Sequence, residues 1–136
     1  MTVKELSKYH DYTAMLKAIE DEIIYLYQKS AKLTQNYSNS EGRAVGGKGT
    51  DMVGNSAVLI ADRQNDLRRM KELCEYERER ISNYIFGDVT DGLVRAMMYA
   101  RFIKLLPWYK VATYVGGGNT ADSCRMAVFR YCRGDT

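Results

Sequence analysis

The chain has 136 residues, of which 46% are hydrophobic and 27% are charged, and it contains a single proline. This length accommodates one compact domain, or a helical hairpin with one very small domain, and it is short for a large catalytic domain. Leu, Ile, Met and Ala are scattered among charged residues, which is typical of a helix-rich protein. We therefore expect an all-α fold and no enzymatic activity.

The positive charge is unevenly distributed along the chain. The formal net charge is +3. Residues 1–86 hold 13 Lys and Arg against 13 Asp and Glu, whereas residues 87–136 hold 7 against 4, so the whole surplus lies in the C-terminal part. Each phosphate contact needs a positive side chain, so this surplus favours a polyanionic partner, although a charge of this size also serves solubility alone.

Membrane, metal and catalytic signals are weak. No apolar run reaches the roughly 20 residues of a membrane-spanning helix, and no apolar signal-peptide core follows the first residues, so we expect a cytoplasmic protein without membrane contact. Cys74, Cys124 and Cys132 form no C-x-x-C pair, and the only histidine is His10. We therefore expect reduced, buried thiols, and neither a metal, a cofactor nor a catalytic triad.

Two stretches with apolar residues at alternating spacings of three and four predict a long antiparallel helical hairpin over residues 1–86. Side chains that repeat every 3.5 residues share one stripe of a helix. The first stripe holds Tyr9, Tyr12, Leu16, Ile19, Ile23, Leu26, Ser30, Leu33 and Tyr37. The second stripe, within residues 57–85, holds Ile60, Leu67, Met70, Cys74, Ile81 and Tyr84. Residues 38–56 contain five glycines and no periodicity, and they predict a flexible loop between the helices.

A second unit with three helices is predicted for residues 87–136. Asp88, Thr90 and Asp91 are candidate N-caps of its first helix, which we expect to run to about residue 106. We expect that helix to bury Leu93, Ala96, Met97, Ala100 and Ile103. Pro107 then opens a short helix through Val115. Residues 116–119 are three glycines and an asparagine, which predict a tight turn with positive φ, and the last helix continues to about residue 133.

The succession of helix, glycine turn and helix predicts a helix-turn-helix that binds double-stranded DNA. In such motifs the second helix enters the major groove, with its first residues at the base edges and its later cations near phosphates. An inward stripe of the last helix is formed by Cys124, Ala127, Val128 and Tyr131. The base-contact candidates are Asn119, Thr120, Ser123 and Arg125. The phosphate-contact candidates are Arg130, Arg133 and Lys110, with Lys104 and Arg101 as further possibilities. The simpler alternative is a three-helix bundle whose arginines only solvate its surface.

Residues 93–133 resemble the region-4-like domain of sigma factors. The matching residues, in order, are Arg101, Phe102, Ile103, Trp108, Val111, Ala112, Gly116 and Arg125. The whole chain resembles small phage and prophage proteins of Gram-positive bacteria, in which a helical hairpin precedes this domain and the turn Gly116–Ser123 recurs. The resemblance implies a late-gene transcriptional regulator in the bacterial host cell. The step from Gly116 to Cys124 is two residues longer than is common in sigma factors, so the resemblance leaves the DNA register open.

The chain contains 11 tyrosines, more than one small core requires, and this favours a protein-binding surface on the hairpin. The candidates there are Tyr25 and Tyr27, and Met126 and Phe129 are expected to be exposed on the last helix. Besides a DNA-binding regulator, which as a homodimer would contact two half-sites, two other functions are open. One is a phage protein that binds a host machine, such as RNA polymerase or a CRISPR nuclease. The other is a structural helical adaptor.

Overall fold

The computed structural model describes residues 1–39 and 48–134, with side chains for residues 1–32 and 54–134. In these ranges the chain is helical and contains no strand. The helices are α1 (Val3–Leu6), α2 (Lys8–Asn39), α3 (Lys48–Gly87), α4 (Gly92–Met98), α5 (Trp108–Val115) and α6 (Ala121–Arg133), with a π-helical turn at Tyr99–Ile103. The predicted all-α fold, with two long helices followed by short ones, is confirmed.

The chain divides into two compact units, and both long helices contribute to each. One unit, here called the hairpin unit, is Ala14–Glu72. The other, here called the C-terminal unit, combines Met1–Thr13 with Leu73–Thr136. The sequence placed the domain boundary between residues 86 and 87, whereas contacts place the division inside α2 and α3.

In the hairpin unit the predicted stripe of α2 is the side that is removed from solvent. Ile23 and Leu26 are buried, Leu16 and Ile19 are half-buried, and the residues between them are exposed. Ile60 and Met70 are the corresponding buried residues of α3. The stripe residues Leu33 and Tyr37 lie where side chains are not described.

A side-chain hydrogen bond fixes the pairing of the two helices in this unit. Gln64 Nε2 of α3 donates to the Tyr27 hydroxyl of α2 at 3.1 Å. The two residues lie at comparable distances from the segment that connects the helices, which is the relation expected for antiparallel neighbours.

The predicted loop at residues 38–56 is too long. α2 continues to Asn39 and α3 begins at Lys48, so residues 48–56 are helical, and 40–47 of the predicted loop lie outside the described residues. Gly49 and Gly54 each disfavour a helix by about 1 kcal/mol relative to alanine. Ser56 is nevertheless 5% exposed, so the packed side of α3 extends this far toward its start. Packing of a long helix outweighs the local preference of a few glycines.

The core of the C-terminal unit is assembled from five helices that are distant in sequence. Leu6 of α1 and Ile81 and Ile85 of α3 are fully buried in the same cluster as the residues of α4, α5 and α6. The remaining members are Val89, Val94, Met97, Met98, Ala100, Phe102, Ile103, Val111, Ala112, Cys124 and Val128. Residues 87–134 therefore share their core with α1 and with the end of α3.

The buried side of α4 and of the turn after it agrees in part with the predicted one. Asp91 caps the helix, since its carboxylate accepts from the backbone N–H groups of Leu93 at 2.9 Å and Val94 at 3.2 Å. Val94 and Met98 are buried, whereas Leu93, predicted to be in the core, is 49% exposed. The helix passes into a π-helical turn in which Lys104 N–H donates to the Tyr99 carbonyl at 3.0 Å. Met97, Ala100 and Ile103 are buried as predicted, so the prediction fails at Leu93 and at the half-buried Ala96, both of which precede this turn.

Candidate nucleic-acid interface

The turn between α5 and α6 is closed by glycines and one asparagine side chain. Gly116, Gly117 and Gly118 have φ values of 65°, 68° and 78°, as the sequence predicted. Asn119 Nδ2 donates to the Gly116 carbonyl at 2.8 Å. This short connection brings the start of α6 next to the end of α5, which is the arrangement that a helix-turn-helix requires.

A reciprocal pair of hydrogen bonds fixes the start of α6. Ser123 N–H donates to Thr120 Oγ1 at 3.1 Å, and Thr120 N–H donates to Ser123 Oγ at 2.8 Å. These bonds satisfy two backbone groups that an uncapped helix leaves open. Thr120 is thus the N-cap of α6.

The inward side of α6 is the predicted one. Cys124 and Val128 are fully buried, and Ala127 and Tyr131 are half-buried. They pack in one cluster with Val111 and Ala112 of α5. Because this stripe is occupied by the core, the opposite side of α6 is the one presented to solvent.

Exposed cations lie on that opposite side and on α5. Arg130 and Arg133 near the end of α6 are exposed, as is Lys110 on α5. Lys110 Nζ lies 6.0 Å from the centre of the Tyr109 ring. Lys104 is exposed as well, with its Nζ 5.6 Å from the centre of the Tyr114 ring. The structure thus exposes all three predicted phosphate-contact residues.

Two other cations of the C-terminal unit have structural partners. Arg95 donates to the Val89 carbonyl from Nε at 3.2 Å and from Nη2 at 2.7 Å. Arg101 Nη1 donates to the Leu106 carbonyl at 3.0 Å, next to Leu105, a non-glycine residue with φ 59°. Arg101 therefore secures the connection to α5, which makes it a weaker phosphate candidate than the exposed lysines.

Arg125 occupies a defined position on the solvent side of α6. Its side chain is 41% exposed, and Nη2 lies 3.6 Å from Oδ1 of Asp122. Its guanidinium carbon lies 5.6 Å from the centre of the Phe129 ring. A carboxylate and an aromatic face together restrict the guanidinium, because both interact favourably with a cation.

The Phe129 ring packs against aromatic residues at the core of the C-terminal unit. Its ring packs edge-on against Trp108, with centroids 6.3 Å apart, and Trp108 packs in the same manner against Phe102 at 6.4 Å. The guanidinium carbon of Arg101 lies 5.0 Å from the centre of the Trp108 ring. Phe129 was expected as an exposed protein-binding residue, but it is half-buried against the core, and Met126 is half-buried too.

The structure gives different roles to the four predicted base-contact residues. Asn119 closes the turn, and Thr120 and Ser123 form the cap, whereas Arg125 alone extends a long side chain along the solvent side of α6. Sequence reasoning did not single out Asp122, whose side chain is 89% exposed. Its spacing of three residues from Arg125 was the available signal, since side chains three apart are neighbours on a helix.

Burial disfavours the thiolate, which is the reactive form of cysteine, in this unit. Cys124 is fully buried and Cys132 half-buried, and burial raises the pKa of both thiols above the ordinary value of 9.0. All three cysteines are free. The described side chains contain no group of three or more His, Cys, Asp or Glu residues arranged to hold a metal ion.

The hairpin unit presents large apolar side chains to solvent. Tyr25 and Tyr27, both predicted as protein-binding residues, are 54% and 53% exposed, although the Tyr27 hydroxyl is engaged by Gln64. Tyr25 lines a shallow groove with Gln28, Lys29, Ala31 and Lys32. Within the described ranges, no helix has the length and apolar character that a membrane crossing demands.

Comparison of the chain with protein-family models, with curated proteins and with solved structures finds no match in any of the three. The site is therefore defined by its own geometry and charge.

Proposed function

We propose that the C-terminal unit is a helix-turn-helix that binds double-stranded DNA, and that the protein is a transcriptional regulator. The observation that carries the proposal is the division of α6 into two sides. Cys124 and Val128 anchor one side in the core, while the other presents Arg125, Arg130 and Arg133. This division supports the insertion of α6 into a DNA groove without loss of packing.

The dimensions of the motif fit the major groove. An α-helix with its side chains is about 10–12 Å wide, and the major groove of B-form DNA is about 12 Å wide. With the start of α6 toward the bases, Arg125 lies nearest the base edges. Arg130 and Arg133, about one and a half and two turns later, lie toward the phosphates, and Lys110 of α5 adds a cation beside the groove.

The resemblance to phage proteins with a sigma-like domain makes late-gene regulation in a bacterial host the specific form of the proposal. A homodimer fits this function, because two α6 helices bound at neighbouring half-sites add their binding energies.

The test is a duplex-binding assay of the full-length protein over a series of salt concentrations. If Arg130 contacts a phosphate, Arg130→Ala weakens binding to all sequences alike and lowers the salt slope by about one unit. Arg69→Ala removes the same charge from an exposed position of the hairpin unit and is the matched control, with an unchanged slope. Equal effects of both variants, or no duplex binding at low salt, would contradict the proposal.

A second candidate function is binding of a host protein, such as RNA polymerase or a CRISPR nuclease, through the hairpin unit. It is favoured by the large exposed side chains of that unit, since aromatic residues and methionine are enriched in protein interfaces. They are Met15, Ile24, Tyr25, Tyr27, Val58 and Leu59.

A comparison of two double variants separates the candidates. Ile24→Ser with Tyr25→Ser alters the hairpin surface, and Arg130→Ala with Arg133→Ala alters the α6 surface. Circular dichroism checks that both remain helical. If the hairpin variant alone abolishes activity in the phage's growth and loses binding to the purified host protein, the second candidate replaces the first.

A further inference from the structure

An exposed carboxylate lies where a DNA-binding surface should avoid one. Asp122 is in the first turn of α6 and its side chain is 89% exposed. A negative charge at a helix N-terminus stabilises the helix by about 0.3–1 kcal/mol, which accounts for an acidic residue in this turn. The helix dipole does not account for the arginine held beside it. On a surface that meets phosphates, this carboxylate lowers general affinity, and a feature that lowers general affinity favours discrimination between sequences.

The partner of this carboxylate has two neighbours on the same helix. Nη2 of Arg125 lies 3.6 Å from Oδ1 of Asp122, and its guanidinium carbon lies 5.6 Å from the centre of the Phe129 ring. Phe129 in turn packs on Trp108. A guanidinium carries five N–H donors in a planar fork, and Nη2 is the nitrogen that faces Asp122. The donors on the other nitrogens are left for contacts with a base edge.

Resting on the DNA-binding function proposed above, we propose that Asp122 and Arg125 act together as a specificity-determining pair for two consecutive G·C base pairs. Arg125 donates two hydrogen bonds to O6 and N7 of a guanine, and Asp122 accepts one from the N4 amino group of a cytosine in the adjacent pair.

The spacing of the pair suits this recognition. Side chains three residues apart on a helix have Cβ atoms about 5–6 Å apart, and stacked base pairs are separated by about 3.4 Å. Flexible side chains bridge this difference. The carboxylate also repels bases that present only acceptors at that position, such as guanine, so the pair both favours one sequence and penalises others.

The experiment is selection from a randomised duplex library by the full-length protein, followed by sequencing and by affinity measurement on single-substitution duplexes. The wild type is expected to require two adjacent G·C pairs. Arg125→Ala removes the guanidinium donors, so the guanine preference falls by between about 5-fold and 150-fold. Asp122→Asn loses the cytosine preference at the adjacent pair by a similar factor, and its affinity for random DNA stays equal or rises.

A matched control and a folding check accompany these variants. Asp62→Asn makes the same change at an exposed position of the hairpin unit and leaves every base preference unchanged. Fluorescence of Trp108, the only tryptophan, shows whether the C-terminal unit is folded in each variant.

The outcomes separate this inference from the function on which it rests. If Asp122→Asn raises affinity but every base preference remains as in the wild type, the pair does not determine specificity, while DNA binding stands. If the wild type binds no duplex at low salt, the proposed function fails and the inference fails with it.

Discussion

Gly116 offers the sharpest test of the turn that precedes α6, because its backbone conformation is almost exclusive to glycine. Its φ is 65° and its ψ is −151°. Its N–H donates to the Ala112 carbonyl at 2.9 Å, and its carbonyl accepts from Asn119, so the conformation is fixed at both sides. A Cβ atom added at this position would meet nothing within 4 Å. Gly116→Ala therefore changes the backbone energy without a steric clash.

The expected loss of stability follows from two opposing contributions. A non-glycine residue in this region of φ and ψ costs about 1–3 kcal/mol. Replacement of glycine by alanine also restricts the unfolded chain, which stabilises the folded state by about 0.4–1 kcal/mol. The net destabilisation is about 1–2 kcal/mol. For a chain of this size that lowers the Tm by about 4–8 °C.

Thermal unfolding followed by Trp108 fluorescence measures this change directly. Trp108 is the only tryptophan and packs between Phe102 and Phe129 in the C-terminal unit. Gly87→Ala is the matched control, since Gly87 is helical, belongs to the same unit and has equally open space around its Cβ position. The control should melt at or above the wild-type temperature. A Gly116→Ala protein that melts with the wild type would refute the argument from backbone strain.

Three further predictions concern the C-terminal unit and its first helix. Leu6→Ala should destabilise the unit by about 2–5 kcal/mol in urea unfolding, because Leu6 is fully buried in its core, and a fragment of residues 87–136 should fail to show cooperative unfolding. Thr120→Ala removes the N-cap of α6 and should cost about 1 kcal/mol in the same assay; a loss below about 0.3 kcal/mol would contradict the capping role. A hydrogen bond from the Thr2 backbone N–H lowers the pKa of Glu5 below its ordinary value of 4.5, so this stabilisation is present above pH 4.5 and is lost as the pH falls through the lowered pKa. The stability of Glu5→Gln should therefore fall less on acidification than that of the wild type, as acid titration monitored by circular dichroism would show.

Features that depend on neighbouring residues in the sequence were predicted well. The stripe of α2 follows from the helical period, which is a property of the helix itself, and Ile23 and Leu26 are buried as expected. The positive φ angles of Gly116, Gly117 and Gly118 follow from the absence of a Cβ atom. The inward stripe of α6 follows in the same way. These properties need no knowledge of the rest of the chain.

Features that depend on contacts between distant segments were not predicted. No local pattern indicates that Leu6 and Ile81 complete the core of α4–α6, and so the sequence placed a boundary near residue 86. The exposure of Leu93 results from the side of α4 that meets this core, which is formed by Val94, Met97 and Met98. A helical period assigns a stripe, but only packing partners decide which stripe is buried.

The candidate site likewise combines features that the sequence determined with features that depend on tertiary contacts. The sequence by itself determined that Arg125, Arg130 and Arg133 lie off the buried stripe of α6, because their spacing excludes them from it. Only the tertiary structure decided how the polar residues around them are used. Phe129 packs on Trp108 because α5 lies against α6 in the core. This contact places the Phe129 ring beside Arg125, and an interaction between side chains on different helices is not encoded in the spacing of either helix.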